Sequence, residues 1–123
     1  MMRAILLAAV CSFLMVTGQV LWKLAIDKNG GLINSDYTII QNFLNLLLSP
    51  YMLAGLLIYV FATVLWMYLL GEYEYSFIYP MFSMTFIMAL FFAAYVFDEI
   101  ITLYKIIGVL FIVLGVFFVT KGK

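Results

Sequence analysis

Residues 4–25 read AILLAAVCSFLMVTGQVLWKLA, twenty-two residues with one charged side chain, Lys23, close to the end. As a helix this run is roughly 33 Å long at about 1.5 Å per residue, enough to cross a hydrocarbon layer about 30 Å thick. Three further runs repeat the pattern: Tyr51–Leu70, Ser76–Phe97 and Tyr104–Thr120. Together the four occupy about two thirds of the 123 residues, and Lys105, at the start of the last, is the only other charged side chain within them. This predicts a single all-α membrane domain, residues 1–123, of four transmembrane helices with N- and C-termini on the same side.

Composition supports this. The chain is 68% apolar and 10% charged, against roughly 45–50% and about 25% in soluble domains. Net charge is zero with no basic block, so nothing marks a nucleic-acid binder. A single cysteine, Cys11, excludes an intrachain disulfide. The first run is too long for a signal-peptide core and lacks an Ala-x-Ala site, so the first helix is expected to be retained. Val10 is too bulky for the position before a lipidated cysteine.

The joints carry the polar punctuation. Asp27–Gly31 ends the first helix, its glycines suited to positive φ. Residues 37–48 place Ile39, Ile40, Phe43, Leu44, Leu47 and Leu48 opposite Gln41, Asn42 and Asn45, which predicts a short amphipathic helix at the membrane surface. Ser49-Pro50 precedes the second span, Gly71–Tyr75 is a tight hairpin, and Asp98–Leu103 is the last turn. Tyr51, Tyr73, Tyr75 and Tyr104 lie near span ends, where amphipathic rings favour the headgroup level. Pro80 should break or kink the third span near its start. Arg3, Lys121 and Lys123 balance Lys23, Lys28 and Lys105 on the opposite side. The positive-inside rule therefore assigns no orientation. Insertion in both orientations with antiparallel pairing, or orientation set by a partner, both fit.

Histidine is absent, the cysteine has no base, and Glu72/Glu74 and Asp98/Glu99 sit in turns. No catalytic set, metal site or cofactor motif is visible, and the chain is not expected to be an enzyme. The candidate residues for binding lie within the spans. Spacing puts Ser12, Met15, Gln19, Trp22 and Lys23 on one face of the first. Lys23 there is either a snorkelling anchor or a counter-ion for an anionic headgroup. The second span carries Gly55, Tyr59, Thr63 and Trp66 on a stripe, the third Ser76, Tyr79 and Ser83. Rings with hydroxyls suit a sugar or amphiphile, and helix packing suits them too. Gly108 and Gly115, seven apart, offer a close-approach seam within or between protomers.

The pattern Ser76-x-x-Tyr79-Pro80, then Asp98-Glu99-x-x-Thr102, Ile107-Gly108, Ile112 and Gly115-Val116, resembles the drug/metabolite transporter superfamily. Thr17-Gly18-Gln19-x-x-x-Lys23 resembles its four-helix members, and the likeness spans all but residues 27–50. Small multidrug resistance exporters carry a membrane glutamate where this alignment places Met15. Subunits that flip aminoarabinose-undecaprenyl phosphate lack that glutamate, and a long first connection suits them. The resemblance thus implies a flippase for a polyprenyl-phosphate-linked sugar, acting as a homodimer or with a sister subunit in a bacterial inner membrane. On the face geometry above, Lys23 would face the phosphate and Gln19, Tyr59, Trp66, Tyr79 and Ser83 would hold the sugar, with Trp22 and Thr63 also expected among the substrate-binding residues. A small-molecule exporter and a non-transporting accessory subunit are the alternatives.

Overall fold

A computed structural model describes residues 2–33 and 37–122, and every regular element among them is a helix. In chain order these are α1 (Met2–Lys28), α2 (Ile39–Leu47), α3 (Pro50–Glu72), α4 (Tyr75–Met81), α5 (Met84–Tyr95) and α6 (Leu103–Lys121). α1, α3, the broken pair α4–α5 and α6 are each long and apolar enough to cross a bilayer. The chain is thus an all-helical integral membrane protein.

Local chemistry sets the ends. α1 closes in a Schellman turn: Gly30 has φ 79°, and the Gly31 N–H donates to Ile26 O at 2.9 Å. Thr38 caps α2 with its hydroxyl, and the Gln41 side chain accepts in return from the Thr38 N–H, completing a capping box. Pro50 starts α3, where its missing N–H costs nothing. The third span breaks just after Pro80, at Phe82 and Ser83. There the backbone turns through i→i−3 bonds, Phe82 N–H to Tyr79 O and Ser83 N–H to Pro80 O, both 3.1 Å. The Ser83 hydroxyl donates to Pro80 O at 2.6 Å and that of Thr85 to Phe82 O at 2.8 Å, so each of these carbonyls accepts a side-chain bond in addition to its backbone one.

α1 and α3 form the core. They run antiparallel, with Arg3 Nη2 donating to Tyr68 OH at one end (3.4 Å) and Lys28 Nζ to Tyr51 OH at the other (2.6 Å). On α1 the buried positions Ala4, Ala8, Cys11, Met15 and Gly18, with Ala25 further on, recur at alternating steps of four and three. Gly55, Ala62 and Leu69 do the same on α3, with half-buried Tyr59 and Trp66 between them. This is the spacing of a heptad seam built from small residues. In lipid such a seam is held by close packing, because the tails are as apolar as the side chains. The Cys11 thiol donates to Ala62 O across it, at 3.3 Å.

The narrowest point is Gly18 against Gly55. A β-carbon on Gly18 would lie 2.9 Å from Gly55 O, and one on Gly55 would lie 2.6 Å from Trp22 Cδ1 and 2.7 Å from Gly18 O. Gly108 and Gly115, expected to form a close-approach seam, have open space around both. Within the protomer the glycine contact is therefore at Gly18–Gly55, and α6 has no buried residue. α2 leans on the protein through buried Asn42 and Leu46, leaving Ile39, Ile40, Phe43 and Leu44 exposed. Asn42 thus faces inward, with its amide donating to Tyr37 O.

Candidate functional site

Gln19, Lys23, Tyr59, Thr63, Trp66 and Tyr79 fall into two clefts separated by the wall of α1, and Trp22 and Ser83 line neither. The first is aromatic and lies between α1, α3 and the α4–α5 break. Met15, Tyr59, Thr63, Trp66, Tyr79 and Phe82 enclose a volume of about 320 Å³. Trp66 forms its back wall, edge-on to Tyr79 at 6.2 Å between centroids and 5.2 Å from the Phe82 ring. Tyr79 is 54% exposed and stacks on Tyr75 at 5.0 Å, so this side of the cleft opens at the surface of the chain. Tyr79 and Phe82, three residues apart on either side of Pro80, meet the same Trp66 ring, as i,i+3 neighbours on a helix do. The Thr63 hydroxyl donates to Tyr59 O at 2.8 Å and that of Ser83 to Pro80 O, leaving both oxygens free only to accept.

The second cleft is charged and lies between α1 and α5, about 190 Å³, with Gln19, Lys23, Phe92, Phe97 and Glu99 among its walls. Lys23 Nζ is 3.9 Å from Glu99 Oε1 and 3.9 Å from Asp27 Oδ2, and it sits over the Phe97 ring at 4.8 Å. Lys105, from the first turn of α6, is 4.0 Å from Glu99 Oε2. A third cleft, about 360 Å³ between α5 and α6, shares Glu99 and adds Lys105 and Gly108.

The expected common face on α1 is therefore divided. Ser12 and Met15 are buried, and Trp22 packs on α3, its indole 5.0 Å from the Tyr59 ring. Gln19 and Lys23 turn toward α5. At about 100° per residue, the seam positions 15, 18 and 22 and the α5-facing positions 16, 19, 20 and 23 centre roughly a quarter-turn or more apart. One cleft cannot take both. Trp22 acts as a spacer below Gly55, with its indole N–H buried and without a hydrogen-bond partner.

Glu99 and Lys105 belong to the charged cluster, and neither stood out in the sequence as a binding residue. The available signal was topological: four alternating spans put the end of the first, the end of the third and the start of the fourth at one membrane face. Among the described residues no group of three or more Cys, Asp or Glu side chains gathers as metal ligands. Compared with known proteins, the chain matches no protein-family model, no curated protein and no solved structure.

Proposed function

We propose that this protein is a membrane transporter that moves a phosphate-linked, sugar-bearing lipid between leaflets by alternating access, without enzymatic chemistry of its own. The observation that carries the reading is the pairing of an aromatic, hydroxyl-bearing cleft with a lysine cluster on neighbouring faces of one helix. Flat rings with acceptor oxygens suit a sugar, lysines suit a phosphate, and the lipid-facing surround leaves the tail in the bilayer. The resemblance to the flippase branch of the drug/metabolite transporters points the same way, with undecaprenyl phosphate as carrier and a bacterial inner membrane as setting. Both termini lie on one side, and two copies, or this chain and a sister subunit, complete the cavity. α6, bare within the protomer, supplies the contact through Gly108 and Gly115.

The test is reconstitution. Purified protein in vesicles containing an undecaprenyl-phosphate sugar should speed its appearance in the opposite leaflet. Met15 stands in the aromatic cleft where the exporters have a carboxylate, so proton-driven efflux of a quaternary ammonium dye should be absent. Dye efflux that follows a pH gradient would place the exporter reading first. Vesicles with no flux of either compound would favour an accessory subunit.

A further inference from the structure

Lys23 from α1, Glu99 from the α5–α6 connection and Lys105 from α6 converge at one end of the bundle. The two lysines share a single carboxylate, Lys23 on Oε1 at 3.9 Å and Lys105 on Oε2 at 4.0 Å. Both separations are ion-pair distances, longer than hydrogen bonds, and all three side chains are between 43% and 49% exposed. The carboxylate thus spans two cations without closing tightly on either. Its backbone is held more firmly: the Glu99 N–H donates to Ala93 O at 2.9 Å, with Asp98 at φ 51°, and Lys105 Nζ also donates to Ile100 O at 3.3 Å. Glu99 lines the clefts on both sides of α5.

The charge count explains the consequence. Lys23 and Lys105 face Glu99 and Asp27, so the cluster has no excess positive charge while Glu99 is in place. An incoming anion gains most from both lysines by taking the place of Glu99, because there it meets the two ammonium groups without the repulsion of the carboxylate. A phosphate ester can do this: as the diester of a lipid-linked sugar it has two non-bridging oxygens and one negative charge, enough to accept from both ammonium groups at once, and as a monoester it has three such oxygens and up to two charges.

We infer that the lysine pair is a phosphate-ester site in which Glu99 is the exchangeable occupant. The headgroup of a phosphate-bearing amphiphile binds Lys23 and Lys105 together and releases Glu99. With it goes the ion-pair tie between the connection 96–102 and α1. This rests on the transport reading above and adds to it a second phosphate ligand, Lys105, and a built-in competitor, Glu99.

The experiment measures binding of dodecyl phosphate, with dodecanol as control, to the full chain in phosphatidylcholine nanodiscs. Charged hydrogen bonds of this kind are strong enough to shift affinity by about ten-fold or more. Glu99→Gln should bind dodecyl phosphate more tightly by about that factor, and Lys105→Met more weakly by about that factor, while Lys105→Arg stays within about three-fold of the parent. Size-exclusion profiles identify any variant that fails to fold, and Lys105→Arg keeps the lysine arm interpretable if Lys105→Met does. Inorganic phosphate binding as tightly as dodecyl phosphate would overturn the assignment to a lipid headgroup. Equal binding by the parent, Glu99→Gln and Lys105→Met would overturn the site itself, as would binding by none of them. The transport reading is judged separately, by sugar-lipid flux in vesicles.

Discussion

α1 and α6 look alike on paper: each is a long apolar helix with few charges and with glycine or alanine at helical spacing. Their surroundings are opposite. In the most apolar stretch of α1, 39% of residues are buried inside the chain, whereas in that of α6 none are. The difference is not one of hydropathy, since both stretches exceed the level needed to enter a bilayer. It lies in partners. α1 repeats its small residues at steps of four and three along most of its length, and α3 repeats Gly55 and Ala62 in matching register. The two backbones can then meet at Gly18–Gly55. α6 has Gly108 and Gly115 but no facing stripe within the protomer, so its side chains are left to lipid or to another copy.

The sharpest way to break this contrast is at Gly55. A β-carbon there meets the Trp22 ring at 2.6 Å and Gly18 O at 2.7 Å, the second a backbone atom that cannot rotate away. Gly55→Ala should destabilise the folded chain by about 1–3 kcal/mol, as overpacking does in tight cores, and Gly55→Leu should abolish folded yield. Gly108→Ala, with open space around it, should stay within about 0.5 kcal/mol of the parent. Reversible unfolding of the three proteins in mixed micelles gives the comparison, and equal stability of Gly55→Ala and Gly108→Ala would erase the distinction.

Next in size is Lys23. Removing its charge while keeping the apolar stem separates headgroup attraction from snorkelling. Lys23→Met should cut sugar-lipid transport by about ten-fold or more at matched membrane levels, while Lys23→Arg keeps much of it. Transport by Lys23→Met equal to the parent would reduce Lys23 to an interfacial anchor.

A smaller effect is expected on assembly. If the bare face of α6 meets a second copy, Gly115→Leu should weaken dimerisation in lipid by about 1–2 kcal/mol, read from energy transfer against dilution, with folding of the protomer unchanged. Dimerisation insensitive to both Gly108→Leu and Gly115→Leu would move the contact to another helix. The smallest change belongs to Ser83. Its hydroxyl proton is committed to Pro80 O, so Ser83→Ala should lower stability by only about 0.5–1 kcal/mol and transport less than Tyr79→Ala does.

Much of the architecture was legible in the residue order. Each spanning helix follows one of the apolar runs and ends within three residues of it, the third stopping at Tyr95, short of Phe97. The glycines after Asp27, the proline of the third span and the Thr38–Gln41 pair act locally, through φ, a missing N–H and a short side-chain bond. Such effects need no knowledge of the rest of the chain. The faces were harder. Trp22 was grouped with Lys23 because the two are adjacent on α1, yet one packs on α3 and the other turns to α5. Helical spacing says which residues are neighbours on a cylinder but not where the cylinder's contacts are centred.

The sequence by itself determined that four helices enter a membrane, where they begin and end, and that the third is broken after Pro80, because hydropathy and backbone chemistry are properties of short segments. Only the tertiary structure decided that Gly18 and Gly55, and not Gly108 and Gly115, form the close contact within the protomer. It alone divided the expected cavity into an aromatic and a charged cleft, and it alone joined Lys23 to Glu99 and Lys105. Those outcomes depend on the rotation of one helix against another, fixed by complementary shapes that lie far apart in the chain.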